Sequence, residues 1–150
     1  MLCLVADNTT TQVHVEKANG IGPLIALVKR SPLAAQEYAA RALWHLASQQ
    51  ENQLAIAYGD SLQYTPKAGA IVPLVAMLAA EGESAPELAA VILVRLTKAS
   101  HDVSIAIAKA GGIPPLVKLV SNGSPGASQQ SAAALAEIAL VCRNRDQVAN

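Results

Sequence analysis

The strongest constraint on this chain is a nine-residue segment that occurs three times. Gly20-Ile21-Gly22-Pro23-Leu24-Ile25-Ala26-Leu27-Val28 recurs as Ala70-Ile71-Val72-Pro73-Leu74-Val75-Ala76-Met77-Leu78, and again as Gly112-Ile113-Pro114-Pro115-Leu116-Val117-Lys118-Leu119-Val120. A second block follows each copy. Glu37-Tyr38-Ala39-Ala40-Arg41-Ala42-Leu43 matches Glu87-Leu88-Ala89-Ala90-Val91-Ile92-Leu93 and Gln129-Gln130-Ser131-Ala132-Ala133-Ala134-Leu135. Leu43, Leu93 and Leu135 hold one place, so the period is 50 residues and then 42. Both blocks shift together, which marks a duplicated unit rather than chance similarity in an Ala-rich chain. A unit this short buries its apolar face against its neighbours, so the repeat dictates an extended stack.

The longer first period has one cause. After Ala106-Ile107-Ala108 the chain runs through Lys109-Ala110-Gly111-Gly112 into the next copy. After Ala55-Ile56-Ala57 it detours through 58–66 before reaching Lys67-Ala68-Gly69-Ala70. Gly59-Asp60 and Thr65-Pro66 are turn and breaker signals, so this stretch reads as an inserted loop. It carries two of the three tyrosines, Tyr58 and Tyr64, and is a candidate accessory contact surface.

Each unit reads as three helices. A short one spans Asp102 to Ala110 and stops at Gly111-Gly112, where glycine supplies a left-handed cap. A second opens near Pro114-Pro115, with Ile113, Leu116, Val117 and Val120 on one apolar stripe. The third and longest starts at Ser31-Pro32 and Ser124-Pro125, each placing an N-cap oxygen before a first-turn proline. At the far end, 144–149 reads as the next short helix beginning again.

Composition narrows the function. Eleven basic residues balance eleven acidic ones, leaving nothing to attract nucleic acid or an anionic membrane. Hydrophobic residues make up 52% of the chain and aromatics 3%, with no Phe, which suits closely packed Ala/Leu/Ile/Val helices better than strands. No run approaches a membrane span, and Leu2–Ala6 is too short for a signal h-region, so a cytoplasmic protein with nuclear access is expected, not a secreted one. His14, His45 and His101 fall at unrelated positions with no ligand spacing, and no nucleophile elbow or P-loop is present. Cys3 and Cys142 read as small core residues. No catalysis, cofactor or metal is expected.

The Gly-Ile-x-Pro-Leu-Val-x-Leu opening, the Glu-x-Ala-Ala-x-Ala-Leu third helix and the Ala-Ile-Ala segment leading into Ala-Gly-x-Ile resemble the armadillo repeat. The 42-residue period agrees with that family. The resemblance implies an all-α, right-handed α-solenoid with two complete units and part-units at both ends. Within a single domain over 1–150, these are a partial unit 1–19, a unit 20–69 containing the loop 58–66, a unit 70–111 and an incomplete unit 112–150. No polar capping unit is visible, so either a longer array or a covering partner is expected, with self-association through the uncapped ends.

The resemblance also implies that stacked third helices line a concave groove. On the first, Ala39, Ala40, Leu43 and Leu46 form the packed faces. Spacing by three and four then groups Glu37, Arg41, Trp44, His45 and Ser48 on the remaining stripe. The same register gives Glu87, Val91, Val94, Arg95 and Lys98, and then Gln129, Ala133, Ala136, Glu137 and Leu140. A polar stripe is also what a merely solvated side looks like. Trp44 is the sharpest candidate, because aromatic anchors are enriched in hot spots; core packing is its competing role. Importin-α-like proteins carry a Trp and, four residues on, an Asn on this helix. The matching pairs here are Arg41/His45, Val91/Arg95 and Ala133/Glu137, so nuclear import is not carried over. The slightly basic set Arg41, His45, Arg95 and Lys98 is nearer to β-catenin-like proteins, which take acidic, extended segments. The expected function is a scaffold or adaptor for a protein or peptide partner. The alternative is a substrate-recruiting or regulatory array of a multidomain enzyme such as a ubiquitin ligase.

Overall fold

Three-to-four spacing of apolar residues, punctuated by Gly and Pro, produces helices throughout. The computed structural model describes residues 20–59 and 69–149, among which every regular element is an α-helix. These are α1 (Ile21–Arg30), α2 (Leu33–Leu46), α3 (Gln50–Tyr58), α4 (Ile71–Leu78), α5 (Ser84–Thr97), α6 (His101–Lys109), α7 (Ile113–Asn122) and α8 (Pro125–Ala149). The partial unit 1–19, with Cys3 and His14, lies outside the described residues, as does most of the inserted loop, Tyr64 included.

Stacking follows the repeat. Each second helix (α1, α4, α7) packs on the third helix behind it (α2, α5, α8), and the third helices pack on one another in the order α2, α5, α8. Alanines make that approach close: Ala39, Ala40, Ala89 and Ala90 are at most 1% exposed, as are Leu43 and Leu93 beside them. Burial of one such Leu side chain is worth about 2 kcal/mol.

The stops and starts have local causes. Gly111 sits at φ +82°, its N–H bonding Ala108 and the Gly112 N–H bonding Ile107, which closes the last carbonyls of α6. The first unit makes the same closure across its insertion. The chain leaves α3 at Gly59 and returns at Gly69, and the Ala70 N–H bonds Ile56, the counterpart of Ile107, at 2.8 Å. Gly69 must be glycine, because a Cβ there would overlap the Ala57 carbonyl. Asn52 and Gln53, both buried, donate from α3 to the Leu46 and Ala47 carbonyls, satisfying the end of α2.

Three sequence expectations need correction. Ser124 does cap α8, accepting the Ala127 N–H at 3.1 Å. Ser31 makes no cap bond: Pro32 occupies the N-cap position of α2, and Ser31 instead closes α1. Residues 144–149 do not begin a new helix but continue α8, which runs for 25 residues. Ser100 caps α6 by accepting the Asp102 N–H, and its repeat counterpart is Cys142, which offers no comparable acceptor. Tyr58 is not a loop residue; it ends α3 and is 5% exposed. The apolar stripe on α7 is present where the spacing puts it; Leu116 is covered, and Ile113, Val117 and Val120 are exposed.

Candidate functional site

The α2–α5 seam carries the densest part of the polar stripe. Arg41, Trp44, Ser84, Glu87, Leu88 and Val91 line a cleft of about 480 Å³ between the two helices. Four of these, Arg41, Trp44, Glu87 and Val91, are positions that helical spacing singles out. Ser84 and Leu88 are not; they join the cleft through the packing of α5 on α2. Arg41 is exposed on the rim, while Trp44, Glu87, Leu88 and Val91 are half-buried.

Trp44 is held rather than loose. The Arg95 guanidinium lies 5.2 Å from the centre of its ring, and the His45 ring lies 4.8 Å away on a tilted plane. Arg95 also donates from Nη1 to the Trp44 carbonyl at 3.1 Å. The carbonyl lies in the last turn of α2, where the Ser48 N–H bonds His45. Burial pushes the Arg95 guanidinium below its ordinary pKa, as it does for any cation drawn from water. Arg95 is therefore a strut between α5 and the end of α2, stacked on the single Trp by cation–π attraction. The indole N–H is buried, with no hydrogen-bond partner among the described residues.

The two glutamates are also struts. Ser84 Oγ donates to Glu37 Oε2 at 3.1 Å, joining α5 to α2. Ser124 Oγ donates to Glu87 Oε2 at 3.0 Å, joining α8 to α5. The Glu87 carboxylate rests on Gly126, where a Cβ would press into it, so it sits against the positive first turn of α8. α2 and α5 thus each receive a hydroxyl from the start of the next third helix. This cross-unit pairing has no signal in a single sequence, because its partners lie 47 and 37 residues apart.

The remaining stripe residues disperse. Val94 is buried, at 8% exposure, and belongs to the core rather than the surface. Ser48 and Lys98 are exposed near the ends of their helices, and Ser48 Oγ bonds the His45 carbonyl at 2.6 Å. On α8, Gln129, Ala136 and Leu140 are exposed, and Ala133 and Glu137 are half-buried. Tyr58 borders a different cleft, with Leu54, Ser100, Asp102, Ile105, Ala106 and Lys109. Among the described residues no three His, Cys, Asp or Glu side chains gather as metal ligands would.

The geometry agrees with what the chain is similar to. An armadillo/beta-catenin-like repeat model matches residues 100–140, from the cap of α6 through most of α8. A computationally designed armadillo repeat protein for modular peptide recognition superposes with a TM-score of 0.75 at 22% identity, over 91% of this chain and 54% of that one. A designed armadillo repeat protein in complex with the peptide (KR)4 gives 0.72 at 22% identity, over 91% and 54%. An engineered protein gives 0.74 at 27% identity, over 92% and 53%. The chain thus spans about half the length of these proteins. No curated protein sequence matches it. The fold is an armadillo-type α-solenoid.

Proposed function

We propose that this chain of armadillo repeats is a non-catalytic scaffold that holds an extended, acidic protein segment across its third-helix face, centred on the α2–α5 cleft. One observation carries the reading. Glu87, the carboxylate that lines the cleft, accepts a hydrogen bond from Ser124 of the next third helix, and Glu37 accepts one from Ser84, whereas the Arg41 cation stands exposed at the cleft's mouth. Trp44, Leu88 and Val91 supply an apolar floor on which a side chain or backbone stretch can lie. A solvent-facing cation above an apolar floor selects a partner that pairs an acidic residue with an aliphatic or aromatic one. The peptide (KR)4 held by the designed relative is basic; Arg41 and Lys98 would repel such a sequence here.

The test uses Arg41→Glu, which alters the exposed charge and leaves the Arg95 strut intact. Peptide arrays of acidic and basic extended sequences are probed with both proteins, after circular dichroism shows equal helicity. Acidic peptides should bind the parent and lose at least about tenfold in affinity with the variant, as expected for loss of a charge pair plus a new repulsion. Equal binding by both proteins, or preference of the parent for basic peptides, would overturn the reading.

A further inference from the structure

We infer that Ser31 is a phosphorylation site for a protein kinase that acts on serine followed by proline, and that the phosphate then caps α2. Two Ser-Pro pairs lie among the described residues, Ser31-Pro32 and Ser124-Pro125, and the fold treats them oppositely. Ser124 Oγ is committed twice, accepting the Ala127 N–H at 3.1 Å and donating to Glu87 Oε2 at 3.0 Å. The Ser31 hydroxyl caps neither α1 nor α2 and has no partner among the described residues. A kinase takes its substrate as an extended segment. Ser31 and Pro32 already have that form, at φ −96°, ψ 162° and φ −56°, ψ 157°. Ser31 is half-exposed, and Lys29, Arg30, Pro32, Leu33 and Ala34 around it are exposed.

The accessibility belongs to the repeat position and not to an end of the stack. Glu81 holds the same place one unit on and is exposed, although its unit has a neighbour on each side. Its carboxylate also shows that the turn between second and third helices accepts an anion at this place. In the modification, Ser31 Oγ attacks the γ-phosphorus of ATP. The bond from that phosphorus to the β–γ bridging oxygen breaks, ADP leaves with the electron pair, and the hydroxyl proton passes to a carboxylate base of the kinase. The product has a local use. α2 starts without a side-chain cap, and its first bond runs from the Gln36 N–H to the Pro32 carbonyl at 3.0 Å, which leaves the N–H groups ahead of it open. A phosphate on Ser31 brings about two negative charges and several acceptor oxygens to that positive end, beside Lys29 and Arg30. On Ser124 the same group would break the cap of α8 and meet the Glu87 carboxylate.

The test incubates the full chain with a proline-directed serine/threonine kinase and Mg-ATP, and maps the phosphate by mass spectrometry over a time course. A Thr65→Ala background removes the Thr65-Pro66 pair, which lies outside the described residues. Ser31 should be phosphorylated at least about tenfold faster than Ser124, whose hydroxyl is freed only when the start of α8 opens. Ser31→Ala should abolish the fast phase. The phosphorylated chain should then unfold at a higher urea midpoint than the unmodified one, and the difference should vanish after phosphatase treatment. No phosphate on Ser31, or equal rates at Ser31 and Ser124, would overturn the site. An unchanged or lowered midpoint would overturn the capping of α2.

Discussion

Arg95 shows what single residues do in this protein. Its position on a polar stripe marks it as a binding cation, yet its guanidinium is committed to the Trp44 ring and carbonyl. Charge and spacing were legible in the sequence, but the partner 51 residues away was not, because that contact exists only once two units stack. Tyr58 makes the same point with a measurable consequence. Burial first, and the nearby Asp102 carboxylate second, raise its pKa above the ordinary 10.0. Below that value the phenol is neutral in both folded and unfolded chains and stability is unaffected. Above it the unfolded chain ionises first, so stability falls as pH rises towards the folded pKa. Urea denaturation at about pH 8 and about pH 11 should show the parent losing more stability than Tyr58→Phe over that interval. Equal losses would mean the phenol is not desolvated.

At the scale of elements, helix existence and type followed from spacing, while ends depended on individual atoms. Ser31-Pro32 and Ser124-Pro125 look alike in sequence, and only Ser124 caps a helix and reaches Glu87. The difference arises because Ser31 is drawn into closing α1, its N–H bonding Leu27. Ser124→Ala should therefore cost about 1–2 kcal/mol, combining a lost cap with a lost bond to a carboxylate. Ser31→Ala should change stability by less than about 0.5 kcal/mol, as a surface change does. Denaturant midpoints measured side by side decide this, and equal costs would contradict the asymmetry. The continuous α8 has a similar origin, in the replacement of Ser100 by Cys142 at the place where a fresh helix would start.

For the whole molecule, stability is graded along the stack because each unit is covered by its neighbours. Six of the eight residues of α4 are buried, whereas α7, with nearly the same sequence pattern, buries Leu116 alone. Hydrogen exchange at low protein concentration should find α4 protected through the deepest opening event and α7 exchanging at lower free energy. Uniform protection of α4 and α7 at low concentration would mean that the end unit is stabilised in some other way.

The sequence by itself determined the repeat, its helical content and the alanine-lined stacking faces. All of these follow from local periodicity and from glycine and proline chemistry. Only the tertiary structure decided which stripe residues line one cleft, which charges are struts, and which apolar faces stay open. Those properties belong to pairs of units: a carboxylate is engaged or exposed according to what the next helix presents to it, about forty residues further along the chain.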